Sequence, residues 1–289
     1  MTRRDILTAI PTSFRADGAL DLDGSRAIFE HVARSGNEGG FVLGTTGEFP
    51  AIDDEEFRDL IAQASEIIAP TMRMVVHVGT PSTFESRRRV RIAKSLGARE
   101  FAAITPYYLP TSDDAMVAHF SAIADEIGDG DLYVYIYPAR SGNAVSPDLL
   151  VRLAAIPGVV GLKASELSLE EIAAYRAVVP DGFVIYTGAD RDLVAAGEVG
   201  AQGVVSGVSS VLPKPFRALA AAADSGDAAA IAAAQEQVDD VVRVIGGDMP
   251  RMKAALRLLD VPAQASRMAL DEPDEAALAE IARVVAAYR

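Results

Sequence analysis

The sequence predicts an α/β fold: a TIM (β/α)8 barrel followed by a C-terminal helical extension. Three observations carry this. Eight short apolar runs alternate with stretches of helical periodicity. Eight parallel strands close a barrel, and about 200 or more residues is the usual length for one. After residue 212 the strands stop and Ala-rich helical stretches remain. A doubly wound open sheet is the alternative fold. It usually carries fewer strands, and no Gly-x-Gly-x-x-Gly fingerprint follows the first strand here.

The strand runs fall at residues 6–12, 40–44, 74–78, 101–105, 132–137, 159–163, 183–187 and 203–206. Each is apolar and short, as a strand buried on both faces must be. Helical stretches lie between them at 24–35, 53–69, 84–96, 113–127, 147–155, 168–178 and 191–200. Asp53 with Glu56, and Ser168 with Glu171, have the spacing of capping boxes. Ser146-Pro147 places a cap residue before proline at the first helical position. The stretch 214–225 closes the last barrel unit, while 227–245, 251–259 and 272–289 are surplus to a barrel. The barrel domain is therefore expected over 1–225 and the helical extension over 226–289.

Bulk properties narrow the function. Half of the 289 residues are hydrophobic, enough for one large core. The formal charge is −14, from 27 Lys plus Arg against 41 Asp plus Glu, which argues against nucleic acid or an anionic membrane as partner. With no cysteine there is no disulfide, thiolate nucleophile or thiolate metal site. The start, Met1-Thr2-Arg3-Arg4-Asp5, is charged with no long apolar run after it, so no signal peptide is expected. No uncharged apolar stretch reaches the ~18 residues of a spanning helix. A cytoplasmic protein is the expectation.

Barrel active sites sit at the carboxyl ends of the strands. There this chain places Gly44-Thr45-Thr46-Gly47-Glu48, His77-Val78-Gly79-Thr80, Thr105-Pro106-Tyr107-Tyr108, Tyr135 through Gly142 with Arg140, then Lys163, Thr187-Gly188-Ala189-Asp190 and Ser206-Gly207. Lys163 closes an apolar run. Such a lysine either reaches out to solvent or is held for chemistry, where burial lowers its pKa and leaves a neutral nucleophile. Tyr135 and Tyr137 suit strands in any case, Arg140 could be a solvated charge, and the glycines after strands seven and eight could cradle a phosphate. The three histidines are isolated and carboxylates near the strand ends are scarce, so metal-assisted chemistry and paired-carboxylate glycoside hydrolysis have little support. What remains is amine chemistry on a carbonyl compound, with hydroxyls and phenols moving protons.

These motifs, in this order, resemble the dihydrodipicolinate synthase / N-acetylneuraminate lyase family of pyruvate-dependent class I aldolases. They are Gly44-Thr45-Thr46-Gly47-Glu48, Thr105-Pro106-Tyr107-Tyr108, Tyr135-x-x-Pro138-x-Arg140-x-Gly142, Gly161-Leu162-Lys163 and Gly188-x-Asp190. The resemblance implies a homotetramer or homodimer, no metal or organic cofactor, and a covalent Schiff base between pyruvate and Lys163. It implies proton transfer by Tyr135, and a relay through Thr45 to Tyr108 of a neighbouring subunit. Thr46 would hold the pyruvate carboxylate, and Val205, Gly188 and Ser206 would line the floor. Arg140 resembles the arginine by which the 4-hydroxy-tetrahydrodipicolinate synthase branch, an enzyme of lysine biosynthesis, recognises aspartate semialdehyde. Ala164 stands where that branch usually has an acid, and Ile136-Tyr137 where it has Asn-Val. Aldolases of the ketodeoxygluconate, hydroxy-oxoglutarate and N-acetylneuraminate types therefore stay open as alternatives. So does a non-catalytic paralogue that binds a keto acid.

Overall fold

The computed structural model describes residues 4–289; Met1-Thr2-Arg3 of the charged start, and so the first residues of the expected barrel domain, lie outside the described residues. Eight parallel strands close a barrel in sequential order. They are β1 (Asp5–Ala9), β2 (Gly39–Val42), β3 (Arg73–His77), β4 (Glu100–Ile104), β5 (Asp131–Ile136), β6 (Val159–Ala164), β7 (Val184–Thr187) and β8 (Gly203–Ser206). The helices up to the last strand are α1 (Leu22–Ala33), α2 (Asp54–Ile67), α3 (Thr83–Ser95), α4 (Asp113–Ile127), α5 (Pro138–Ser141), α6 (Pro147–Ala154), α7 (Leu169–Val178) and α8 (Leu193–Glu198). Then come α9 (Pro213–Ser225), α10 (Ala228–Ile245), α11 (Met249–Leu258) and α12 (Glu275–Tyr288). The α/β barrel expected from the alternation of runs is present.

Two elements depart from the expectation. β1 stops at Ala9 rather than reaching Thr12, because the chain beyond is tied by side chains. The Thr12 hydroxyl donates to the Gly47 carbonyl at 3.0 Å, and the Ser13 amide donates to the Ser25 hydroxyl at 3.1 Å. Helix α5 has no counterpart in the sequence reading. It is one turn long, opened by Pro138 and closed by Gly142 at φ 74, too short to show a period.

Helix starts follow cap chemistry. Asp53 accepts from the Glu55 and Glu56 amides and Glu56 reaches back to the Asp53 amide; Ser168 and Glu171 make the same box. Each such cap contributes about 1 kcal/mol.

The chain divides into two compact units. One is Val75–Val205 with Arg4, built on β3 through β8. Its strands are paired in register, so that Ile104 lies beside Tyr135 and Tyr135 beside Lys163. The apolar side chains Val76, Val134, Leu162 and Ile185 are fully buried there.

The other unit is Asp5–Met74 with Ser206–Arg289. It joins β1, β2 and their helices to the C-terminal helices through a buried ion pair. Glu48 is 0% and Lys253 1% exposed, and their Oε1 and Nζ atoms are 2.6 Å apart. Lys253 also donates to the Ala265 carbonyl at 2.8 Å, over the ring of Phe14. The second Glu48 oxygen accepts the Arg267 and Met268 amides, both at 2.8 Å. Arg267 in turn forks onto Glu56 with two 2.6 Å bonds. A buried charge left without its partner costs far more than the pair contributes. Lys253→Met is therefore expected to lower unfolding stability by about 3–5 kcal/mol in urea denaturation. Adding Glu48→Gln should cost less than the sum of the two single changes, since the pair is lost only once.

Candidate active site

Two strand neighbours define the chemistry of the first unit. Side chains two apart on a strand share a face, so β5 turns Tyr133 and Tyr135 one way, and Tyr137 follows directly after the strand. Lys163 is in register with Tyr135 across β5 and β6 and with Tyr186 across β6 and β7. Its ammonium nitrogen lies 4.2 Å from the centre of the Tyr135 ring. Lys163 is 6% and Tyr135 1% exposed. Loss of hydration disfavours the charged amine, and burial brings the Lys163 pKa down to about 7, with Asp190 pulling weakly the other way. A large fraction of this lysine is thus a neutral nucleophile near neutral pH.

Two other rings pack against Tyr135. The imidazole of His77 meets it edge-on at 6.0 Å, and the Tyr137 ring is tilted against it at 6.0 Å. His77 Nε2 accepts the Ile104 amide at 3.1 Å, so the ring proton of the neutral imidazole sits on Nδ1. His77 is a packing and backbone-binding residue, as a strand histidine usually is. His119 is too: burial lowers its pKa to about 4, and Thr83 binds its Nδ1 at 2.8 Å. Among the described residues no group of three or more His, Asp or Glu could hold a metal ion.

Beyond Lys163 the strand ends need space. Gly188 donates to the Ala164 carbonyl at 2.6 Å, and a Cβ at 188 would stand 2.2 Å from the Ser165 hydroxyl. Only glycine allows that approach. Val205 and Ser206 end β8, both buried; the Ser206 hydroxyl accepts the Ser209 amide at 2.9 Å and so shapes the turn that follows.

Two residues of this unit were not singled out from the sequence. The first is Glu166, which gathers Tyr137 and Arg140 into one group. The Tyr137 hydroxyl donates to Glu166 Oε1 at 2.5 Å, and Arg140 Nε reaches the same hydroxyl at 3.4 Å. Burial and the nearby carboxylate push the Tyr137 phenol up to about 12, keeping it protonated. The second is Asn143. It donates to the Pro106 and Leu109 carbonyls and accepts the Thr111 amide, bracing the loop that carries Tyr107 and Tyr108. Tyr108 stands on that loop at φ 79, with 91% of its surface exposed. A left-handed tyrosine is strained, and such strain marks functional positions. Tyr107 is half-buried, and burial raises its pKa.

Thr45 and Thr46 lie in the second unit, on a turn closed by amides of Gly47 and Glu48 donating to Gly44 and Thr45. Leu43 at φ 57 and Glu48 at φ 55 flank it, so the turn is strained at both ends. Both threonines are half-buried, and a Cβ at Gly207 would lie 3.4 Å from the Thr46 hydroxyl. The Glu48–Lys253 pair anchors the turn directly after its last glycine.

The family model described as "Dihydrodipicolinate synthetase family" matches residues 2–288. The chain belongs to the dihydrodipicolinate synthetase family. It is 34% identical over 224 residues to the 4-hydroxy-tetrahydrodipicolinate synthase of Synechococcus elongatus, covering 78% of this chain and 75% of the relative. It is 32% identical over 272 residues to 4-hydroxy-tetrahydrodipicolinate synthase 1 of Streptomyces coelicolor, covering 93% of this chain and 88% of that one. The crystal structure of dihydrodipicolinate synthase from Thermotoga maritima superposes with a TM-score of 0.90 at 27% identity, over 99% of both chains. The sialic acid aldolase of Ruminococcus gnavus shares the fold, with a TM-score of 0.92 at 20% identity over 99% of this chain and 98% of that one. This member of the dihydrodipicolinate synthetase family is an enzyme of the lyase and aldolase class.

The amine of Lys163 makes a direct test possible. Its acylation by acetic anhydride, followed by peptide mass spectrometry, should reach half its plateau rate near pH 7. Ordinary lysines follow only near about 10.4. Asp190→Asn removes a group that favours the charged form, so the midpoint should move to lower pH.

Proposed function

We propose that this family member condenses pyruvate with aspartate semialdehyde through a Schiff base on Lys163, as a 4-hydroxy-tetrahydrodipicolinate synthase. The observation that carries the proposal is the water-excluded amine of Lys163 against the ring of Tyr135, 4.2 Å away.

The chemistry follows from that pair. The neutral amine attacks the keto carbon of pyruvate, and loss of water gives an imine. The imine draws electrons from the adjacent methyl carbon, so a proton leaves it and an enamine forms. The enamine carbon attacks the aldehyde carbon, and a proton returns to the new alkoxide oxygen. Attack on the imine by the acceptor's own amine, or by water, frees Lys163. Tyr135, beside the amine and sealed from solvent, is the group assigned to these proton transfers. We assign the relay hydroxyl to Thr45 and the pyruvate carboxylate to Thr46, with Gly188, Val205 and Ser206 as the floor. The strained turn that holds the two half-buried threonines suits such fixed roles.

Arg140 is exposed on α5 at the carboxyl end of β5, and we assign it the carboxylate of the aldehyde. Tyr108 and Leu109 stand exposed on a braced loop, and we assign Tyr108 to the site of a neighbouring subunit in a homotetramer or homodimer. One solved relative at 28% identity is described as a monomeric dihydrodipicolinate synthase variant, so subunit number varies among such proteins. Neither a metal nor an organic cofactor enters the proposed reaction. The barrel over 1–225 would carry the chemistry and the extension over 226–289 would support it. No helix among the described residues is long and apolar enough to cross a membrane. We place the reaction in the cytoplasm, where pyruvate is at hand.

Borohydride added with pyruvate should fix pyruvate covalently on Lys163, seen by peptide mass spectrometry; a labelled peptide elsewhere, or none, overturns the assignment. Tyr135→Phe should slow turnover by roughly 10²–10⁴-fold, the usual contribution of a positioned proton-transfer group.

Arg140→Ala probes the aldehyde. A loss of about 2 kcal/mol in kcat/KM for aspartate semialdehyde is expected, at the low end for a charged pair because Arg140 is exposed. An unchanged value would show that Arg140 does not read the substrate.

A further inference from the structure

The geometry points to Glu166 as a specificity-determining residue that reads an ammonium group on the acceptor aldehyde, making the preferred acceptor an amino-acid aldehyde. This rests on the aldolase reading above and deepens it.

Glu166 follows β6 by two residues and Lys163 by three. Its backbone lies at φ 57, in the left-handed region that glutamate rarely adopts. The strain aims the side chain at the end of β5, where the Tyr137 hydroxyl holds Oε1 at 2.5 Å. Tyr137 is packed against Tyr135, and Tyr135 against Lys163, so the carboxylate is joined to the reacting amine through two rings. On the other side of the same hydroxyl stands Arg140, with its guanidinium 5.8 Å from the Tyr137 ring centre. Only Nε of Arg140 is engaged, at 3.4 Å; among the described residues its two terminal nitrogens have no hydrogen-bond partner. No ion pair within 4 Å joins Arg140 to Glu166 among the described residues; Tyr137 stands between them.

One cation and one anion are thus spaced apart by a protonated phenol at the mouth beside the lysine. A carboxylate alone is matched by Arg140 but meets a like charge at Glu166. A zwitterion satisfies both, its carboxylate on Arg140 and its ammonium on Oε2 of Glu166, which accepts no protein bond among the described residues. A carboxylate aldehyde lacking the amine leaves Glu166 uncompensated, which is discrimination by repulsion as well as attraction.

The test compares aspartate semialdehyde with succinate semialdehyde, which keeps the carboxylate and lacks the amine. Wild type, Glu166→Gln and Tyr137→Phe are assayed with pyruvate, and borohydride trapping is run on wild type. Wild type should prefer aspartate semialdehyde in kcat/KM. Glu166→Gln should shift the ratio toward succinate semialdehyde by roughly five- to ten-fold, as for a partly exposed charge-assisted hydrogen bond. Tyr137→Phe keeps the charge but loosens its placement, and should shift the ratio in the same direction by less. It also decides the matter if the glutamine variant fails to fold. Trapped pyruvate with an unchanged ratio in both variants overturns this proposal alone. So does a wild type that works best on glyceraldehyde and loses that preference in Glu166→Gln, because Glu166 would then read hydroxyls. No trapped pyruvate on Lys163 overturns the aldolase reading itself.

Discussion

Keeping water away from one amine is the constraint on which the site depends. A lysine at the end of a barrel strand would ordinarily stretch to solvent and stay charged. Here the strands beside it bring Tyr135 and Tyr186 into register with Lys163, and the phenol ring of Tyr135 takes the place of water over the nitrogen. The ring has little freedom of its own, with His77 packed perpendicular to it and Tyr137 tilted against it. His77 is fixed in turn by the Ile104 amide on the next strand. A neutral nucleophile is therefore a consequence of packing, and Asp190 only tempers it.

The second unit solves a different problem. The Gly44–Gly47 turn is strained at both ends, and strain persists only where the surroundings over-determine the conformation. Glu48 supplies that constraint. All three hydrogen bonds of its side chain go to residues 253–268, so α11 and the segment after it hold the turn in place. Burial of both charges makes the arrangement all or none: with either partner missing, the other cannot be hydrated. This gives the helices after the barrel a physical task beyond covering its outside.

Function in this family member divides along similar lines. In the proposed function, the reaction class rests on buried groups on strands, whereas substrate choice rests on exposed groups on the turns after them. Arg140 sits on a single-turn helix, and Glu166 on a left-handed residue just past β6. Loops set on a rigid barrel can change without disturbing the chemistry beneath. Tyr108 follows the same logic, strained and exposed on a loop that Asn143 braces.

Strand and helix positions were legible in the sequence because they depend on local period and caps. Apolar runs must bury both faces, and Asp53 or Ser168 can only open a helix by binding amides two or three residues away. That Lys163, Tyr135, Thr45 and Arg140 stand at or just past strand ends was legible for a related reason, because the apolar runs set where each strand stops. The partners of these residues were not. Glu48 and Lys253 are 205 residues apart, and nothing local marks either as buried. Tyr137 and Glu166 lie 29 apart, and a glutamate at positive φ leaves no trace in composition, unlike a glycine. Periodicity and turn chemistry along the chain determined the barrel and the strand end on which the lysine sits. Tertiary structure alone decided that the lysine is dry, that a carboxylate faces the arginine across a phenol, and that the helices after the barrel clamp the threonine turn. Desolvation and charge pairing depend on neighbours in space, which the order of residues does not state.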